Sequence, residues 1–250
     1  MAEDNAQRYH FADFTHGNYR RLLRLAKSKR PLCTHADSRK AQRFILWRHD
    51  VDISPHAARR LAQIEAEEGI GVTYFWHLHN TFYNLLERET ADIVKEIAAL
   101  GHGVGLHFDA DFYGIAAEEE LAPRLRMEQQ VLEDLGGQPV RCFSFHNPSR
   151  FTMNCQQWEY AGMVNTYAEH FQTQVAYCSD SNGYWRHERL EDVLTAGQHE
   201  RLQVLTHPCW WQAEAMSPWQ RVLRCIEGRA SKTRSQYRQL LEQTGRKVIE

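Results

Sequence analysis

The stretch Phe44-Ile45-Leu46-Trp47-Arg48-His49-Asp50-Val51-Asp52 begins as a short apolar run and ends in charged side chains. A short apolar run of this kind is typical of a buried parallel strand. Ser54-Pro55 follows, and serine then proline is a common helix start, with the serine as N-cap. Ala58, Leu61 and Ala62 then recur at helical spacing. The segment therefore predicts a strand, a polar loop and a helix.

The same order of strand, polar loop and helix recurs along the chain. Further strands are predicted over 72–76, 104–107, 142–145, 176–178 and 202–206. Helices are predicted over 18–29, 85–100, 123–135 and about 219–244. We expect Asn18 to be the N-cap of the first of these helices and Gly228 to break the last. Strands that alternate with helices indicate parallel pairing, in a barrel or a doubly wound sheet.

The composition excludes some classes of protein. The 250 residues include 30 basic and 32 acidic ones, so the net charge is -2 and no basic excess favours nucleic-acid binding. No stretch approaches the roughly 20 apolar residues that a membrane span needs. The six cysteines show no paired short spacing, which is typical of a reduced protein. With no apolar segment near Met1 to suggest a secretory signal, we expect a cytoplasmic protein.

Polar side chains follow the ends of the predicted strands. They are Asp50, Asp52, His77, His79, His107, Asp109, His146, Asp180 and His207. The carboxyl ends of parallel strands meet at one face of an α/β fold, so residues far apart in sequence would share one pocket. We therefore expect a functional site at this face.

Asp50 and Asp52 are the sharpest pair of candidates. Alternate residues of a strand share a face, so both carboxylates can point the same way. Two adjacent carboxylates repel unless a proton or cation separates them. A metal ion held by one of them, with the other free as a base, removes that conflict. The alternative is a simple acidic cluster before the helix that begins at Ser54-Pro55.

His107 closes a short strand that is rich in glycine. The glycines at 101, 103 and 105 allow a ligand or another backbone to approach closely. An imidazole together with carboxylates suits zinc or a similar divalent ion, although a histidine packed in the core is the alternative. His102 is an odd number of residues from His107, so it would face away from it. We expect His102 to have a structural role at a helix end.

The remaining histidines are weaker candidates. His146 lies two residues before Pro148 and His207 lies directly before Pro208, and each alone would be structural. Together with Asp50, Asp52 and His107 they become credible parts of one site. For His77 and His79, lining the wall of a pocket and packing in the core are equally good interpretations.

Two later stretches, 179–186 and 207–211, mix aromatic rings with polar groups, which suits sugar rings. The candidate substrate-binding residues are Arg48, Asp180, Trp185, Arg186 and Trp210. For the tryptophans, packing into the core is an equally good interpretation.

These motifs, taken in order, resemble those of the polysaccharide deacetylase superfamily (NodB homology, carbohydrate esterase family 4). The resemblance spans 45–211 and rests on Arg48–Asp52, Gly101–His107, Phe143–Pro148, Ser179–Ser181 and Leu205–Pro208. It implies a distorted, often seven-stranded β/α barrel, a divalent metal ion that is typically zinc, and hydrolysis of an N-acetyl group on a sugar. By position, Asp50 resembles the catalytic base and His207 the catalytic acid. Asp52 and His107 resemble metal ligands.

The sequence departs from the family pattern at three places. Val51 separates two aspartates that are usually adjacent, which puts the division of roles between Asp50 and Asp52 in question. Asp111 occupies the position of the usual second metal histidine. We prefer His146 as the third ligand, with Asp109 and Asp111 as alternatives. The usual arginine after the fourth strand is missing, and we expect Arg150 or Arg186 to supply its charge and orient Asp50, acting through Asp180.

The sequence therefore predicts one domain over 1–250. It comprises a helical lead-in over 1–40, a barrel over 41–215 and a C-terminal helix over 216–250. We expect a zinc-dependent enzyme that deacetylates an amino sugar or glycan in a surface-polysaccharide pathway. One alternative is another C–N or ester hydrolase acting on a nucleotide-linked or small substrate. A second is a sugar-binding domain without catalysis. The oligomeric state is not indicated.

Overall fold

A computed structural model describes residues 4–249 of the chain. The strands are β1 (Phe44–Val51), β2 (Thr73–Trp76), β3 (Gly103–Phe108), β4 (Cys142–Phe145), β5 (Glu159–Tyr160), β6 (Met163–Asn165), β7 (Ala176–Ser179) and β8 (Arg201–Thr206). The α-helices are α1 (Asn5–Arg8), α2 (His16–Lys29), α3 (Pro55–Glu67), α4 (Arg88–Ala99), α5 (Leu121–Gly136), α6 (Arg150–Asn154), α7 (Glu169–Gln174), α8 (Leu190–Ala196) and α9 (Pro218–Gln243).

The eight strands form one sheet in the order β5-β6-β4-β3-β2-β1-β8-β7. Every neighbouring pair is parallel except β5 and β6, so seven strands run in one direction and β5 is reversed. Within residues 4–249 the two edge strands do not pair with each other, so the barrel stays open. The predicted distorted β/α barrel is confirmed, and the carboxyl ends of its seven parallel strands lie at one face.

Strand β1 lies near the middle of this sheet, between β2 and β8, and all eight of its residues are buried. A strand presents alternate residues to opposite faces. Arg48 and Asp50 accordingly contact each other on the inner face. His49, between them, contacts Glu65 of α3 on the helix side. The alternation within β1 therefore decides which of its charged residues enter the barrel.

The first turn of α3 matches its prediction, and the start of α2 does not. Ser54 caps α3 by accepting a hydrogen bond from the Ala57 amide, and Pro55 is the first residue of that helix. The predicted N-cap of α2, Asn18, is wrong. Thr15 occupies that position, and its hydroxyl accepts a hydrogen bond from the Asn18 amide at 3.3 Å.

The structure also differs from the prediction at the last helix and at one edge of the sheet. The predicted break at Gly228 is wrong, because α9 continues through it; no atom lies within 4 Å of the place where a Cβ would be. Strands β5 and β6 were not predicted, since each has only two or three residues and neither forms an apolar run.

The described chain contains no helix both long and apolar enough to cross a membrane. The division into a lead-in, a barrel and a C-terminal helix stays a prediction. Residues 1–3 and 250 of its first and last segments lie outside the described residues.

Candidate metal centre and active site

Three of the candidate side chains lie at the carboxyl ends of three strands of the sheet. Asp52 follows the last residue of β1, His107 lies near the end of β3, and His146 follows β4 directly. The pairing of β3 with β4 places His107 opposite Ser144. A hydrogen bond of 2.8 Å from the His146 amide to the Phe108 carbonyl extends this pairing beyond β4. The sheet therefore brings together residues that are far apart in sequence.

The distances among these three side chains suit one divalent ion. His107 Nε2 lies 3.2 Å from Asp52 Oδ1 and 3.2 Å from His146 Nδ1, and His146 Nδ1 lies 3.8 Å from Asp52 Oδ1. Ligands about 2.1 Å from a tetrahedral zinc ion would lie about 3.4 Å from one another. Asp52 Oδ1 is buried, and its nearest polar neighbours within residues 4–249 are these two imidazole nitrogens. Because burying a carboxylate is costly unless its charge is compensated, these residues fit a bound cation.

The surroundings prepare His107 and Asp52 for this role. The Nδ1 atom of His107 lies 2.7 Å from the Ser144 hydroxyl, which orients the ring and directs Nε2 toward Asp52. Burial alone would raise the pKa of Asp52. The imidazoles of His107, His207 and His146 outweigh burial and hold this pKa well below its usual range. The Asp52 side chain is therefore an anion, as a carboxylate that binds a metal must be.

Asp50 lies beside this group with one oxygen held and the other free. Arg48 Nη2 lies 3.4 Å from Asp50 Oδ2, while Asp50 Oδ1 is buried and has no partner in the described chain. Arg48 is itself fully buried, and it also donates hydrogen bonds to the hydroxyls of Thr166 and Tyr167. Asp50 Oδ2 also lies 3.8 Å from His107 Nε2, so the Asp50 carboxylate belongs to the same site.

The expectation that Arg150 or Arg186 orients Asp50 is wrong. Both side chains are exposed, and the cation that contacts Asp50 is Arg48. The reason is the alternation of β1, which places residues 48 and 50 on one face. Arg48 is fully buried, and the carboxylate that it contacts is that of Asp50. Its contact with a substrate stays a prediction.

On the other side of Asp52, His207 forms a pair with Asp180. His207 Nδ1 lies 2.7 Å from Asp180 Oδ1, and the His207 amide donates to Asp180 Oδ2 at 3.0 Å. Burial opposes a charge on the imidazole, but the buried carboxylate of Asp180 outweighs it and raises the pKa of His207 to about 9. His207 Nε2 lies 3.6 Å from Asp52 Oδ2. Asp180 thus positions His207, because this histidine is the partner of the Asp180 carboxylate in the structure.

The site includes one histidine whose role the sequence left open. His77 is buried, its Nε2 lies 3.6 Å from Asp109 Oδ2, and its ring centroid lies 4.4 Å from that of His146. His77, Asp109 and His146 form a second group with the spacing of metal ligands. His77 follows β2 directly, as Asp52 follows β1 and His146 follows β4. The sequence signals this position, and the contacts decide between the wall of a pocket and packing.

The remaining candidates lie outside the cluster of ligands. His79 points toward Tyr113 and Glu128, at 2.9 and 3.0 Å. Asp111 is exposed and belongs to neither group of possible ligands in the described chain. His102 is buried, accepts a hydrogen bond from the Val72 amide and donates one to the Ala62 carbonyl. Its contacts are those of a structural residue.

The candidate aromatic residues pack against the protein itself. The Trp185 indole donates to Asp13 at 2.9 Å, and its ring stacks on Phe14 with centroids 5.0 Å apart. Trp210 is half-buried and covers Gly183, where a Cβ would lie 2.9 Å from the indole. Gly183 also has a φ of +78°, which favours glycine. These contacts favour packing for both tryptophans, and their contact with sugar stays a prediction.

No family model matches the chain, and the search of curated proteins found no match. Solved structures do resemble it. A family 4 acetyl xylan esterase from Clostridium thermocellum, in complex with cobalt, is 14% identical over 81% of this chain and 92% of that chain, with a TM-score of 0.46. The peptidoglycan deacetylase PdaC from Bacillus subtilis is 10% identical over 81% of this chain and 97% of that chain, also with a TM-score of 0.46.

A CE4 family pseudoenzyme from Bacillus anthracis is 17% identical over 77% of this chain, with a TM-score of 0.41. The chain spans 62% of that structure's length, which is less than two thirds. The solved structures that the chain resembles thus include members of carbohydrate esterase family 4, whose motifs its sequence also resembles.

Proposed function

We propose that this chain is a metal-dependent hydrolase that removes an N-acetyl or related acyl group from an amino sugar in a surface polysaccharide pathway. The observation that carries the proposal is the convergence of Asp52, His107 and His146, whose ligand atoms lie 3.2–3.8 Å apart. Two imidazoles and one carboxylate make a donor set that suits zinc. Asp50 and the pair of His207 and Asp180 flank this group.

The residues around the ligands supply the acid and the base of an amide hydrolysis. When bound, a zinc ion would polarise the acyl carbonyl and lower the pKa of a water molecule toward about 7. Asp50 accepts the proton of the attacking water on its free Oδ1, while Arg48 holds Oδ2 in place.

His207 supplies the proton that the leaving nitrogen needs when the C–N bond breaks. Asp180 accepts a hydrogen bond from Nδ1–H of His207, so the second proton of the imidazolium is on Nε2. Because Nε2 faces Asp52, that proton is on the side of the proposed metal site. The Asp180 carboxylate favours the charged ring, and His207 therefore holds the proton until the nitrogen accepts it.

The first test separates metal binding from proton transfer. Asp52→Ala should lose the bound metal and at least about 10³-fold in activity, since the ion provides the main stabilisation of the transition state. Asp50→Asn should keep the metal and lose about 10²–10⁴-fold in turnover. Metal content is measured on protein purified without chelators. Activity is measured on N-acetyl sugars, nucleotide sugars and simple amides.

Asp111→Ala is the matched control, because Asp111 is an exposed carboxylate near the site that belongs to neither group of ligands. It should keep both metal and activity. Full turnover in Asp50→Asn would contradict the assignment of the base. Binding of sugar by the wild-type chain without stoichiometric metal would favour a sugar-binding domain.

A further inference from the structure

A cavity of about 790 Å³ lies between α3, the loop that precedes α4, and α9. This volume falls within the range of sites that bind small molecules. Asp50, Asp52, His107, His146 and His207 do not line it. The cavity is therefore a space separate from the proposed metal site.

The loops that carry the site residues also form part of the cavity wall. Ile53 lines the cavity and directly follows Asp52. Tyr83 lines it as well, and its hydroxyl contacts both the His77 amide and the Val51 carbonyl. Trp211 follows His207 by four residues and forms another part of the wall. The cavity is thus next to the loops after β1, β2 and β8.

Two cations in the cavity wall have no carboxylate partner. Arg229 pairs with Glu87, and Lys232 pairs with Glu87 and Glu89, so these charges are compensated. Arg60 of α3 and Arg224 of α9 also line the cavity, and neither forms an ion pair within residues 4–249. The cavity therefore has two excess positive charges, from two different helices.

The two arginines also act on the same histidine, His16. His16 lines the cavity, and its Nε2 donates to the Trp211 carbonyl at 3.2 Å. Burial lowers the pKa of His16, and the charges of Arg60 and Arg224 lower it further. Both guanidinium groups are thus close enough to affect one imidazole. An anion in the cavity would compensate both charges, and guanidinium groups bind phosphate well.

Much of the remaining wall is apolar. It includes Ile53, Pro55, Tyr83, Trp211 and Ile226. We propose that this cavity binds an organic phosphate, with one or two phosphate groups near Arg60 and Arg224 and an apolar or aromatic body against this wall. The proposal does not depend on the proposed deacetylation, because no residue of the metal site takes part.

Isothermal titration of the full chain with uridine diphosphate and with pyrophosphate tests this. Uridine diphosphate should bind more tightly than pyrophosphate, because only it carries a body for the apolar wall. Arg60→Gln and Arg224→Gln should each weaken its binding roughly tenfold, as expected for a lost charge-assisted hydrogen bond. Arg59→Gln is the matched control. Arg59 is the neighbouring arginine of α3, pairs with Glu96 at 3.6 Å and does not line the cavity, so its variant should bind as the wild type does.

A metal ion at the other site would also attract phosphate, so the titration is repeated with Asp52→Asn. Binding should persist in that variant. Loss of binding in Asp52→Asn, with normal binding in the two arginine variants, would assign the phosphate to the metal and overturn the proposal. Absence of binding, equal affinity for the two ligands, or an equal effect of Arg59→Gln would also overturn it.

Discussion

Two clusters of histidine and carboxylate lie on opposite faces of β1. The first is the proposed metal site inside the barrel. The second, here called the buried network, consists of Tyr19, His49, Glu65, Tyr74 and His102 and lies on the helix side. Glu65 accepts hydrogen bonds from Tyr19, from His49 Nε2 at 2.6 Å and from Tyr74 at 2.6 Å. The other nitrogen of His49 lies 2.6 Å from the Thr206 hydroxyl.

The two clusters differ in whether their polar atoms have partners. In the buried network, both Glu65 oxygens and both His49 nitrogens are hydrogen-bonded, so nothing is left to hold a ligand. In the metal site, by contrast, Asp50 Oδ1 and His77 Nε2 are buried without a hydrogen-bond partner in the described chain, and Asp52 Oδ1 faces the imidazoles of the proposed ligands. Buried polar atoms are nearly always paired, so the grouping of these exceptions at one place fits the proposed metal site. Residue types alone would not separate the two clusters.

The largest effect on stability is expected from breaking the buried network. Glu65→Leu keeps a similar side-chain volume but removes the acceptor that Tyr19, Tyr74 and His49 Nε2 share, and only Tyr19 and His49 can still bond to each other. We expect the free energy of unfolding to fall by about 3–5 kcal/mol, as when one partner of a buried pair is removed. Denaturant unfolding of the metal-free protein measures this change.

The same variant should still bind metal once it is folded, because Glu65 lies outside the site. Glu65→Gln, which keeps one acceptor oxygen, should fold with a smaller loss of stability. Loss of metal from folded Glu65→Gln would show that the two clusters are not independent.

A smaller effect is expected from Asp180→Asn within the site. This variant should keep its metal and lose about 10²–10³-fold in turnover, because His207 loses the anion that orients and charges it. Removing this anion lowers the pKa of His207, so the basic limb of the pH profile of kcat should move to lower pH. An unchanged limb would show that His207 is not the acid.

The smallest effect concerns Glu128, a fully buried carboxylate of which only one oxygen is hydrogen-bonded in the described chain. Its Oε2 has no partner in the described chain, and burial raises its pKa from 4.5 to about 7. A raised carboxyl pKa gives stability that is complete below pH 4.5 and is lost as the pH rises through 7.

Glu128→Gln should remove this dependence on pH. Between pH 8 and pH 5, the wild type should gain about 2 kcal/mol more in unfolding free energy than the variant does. Chemical denaturation across this range measures the difference. Parallel pH curves for the two proteins would contradict the assignment.

Local patterns predicted much of the fold and several of the site residues. The strand predicted from the apolar run of β1 and the N-cap predicted at Ser54 are both confirmed, because each depends on adjacent residues. The expectation that site residues follow the ends of strands selected Asp52, His107 and His146, which the structure brings together. It left His77 open, because a histidine after a strand can pack as well as line a pocket.

The sequence by itself determined that strands and helices alternate and that carboxylates and imidazoles follow the strands. These properties depend on periodicity and on the few residues around each strand end. Only the tertiary structure decided that Arg48 also contacts Thr166, that Asp180 holds His207, and that both Glu65 oxygens are hydrogen-bonded while Asp50 Oδ1 is not. The physical reason is that a polar atom's partner is chosen by three-dimensional packing, which joins residues as far apart in sequence as His49 and Thr206, 157 residues from each other.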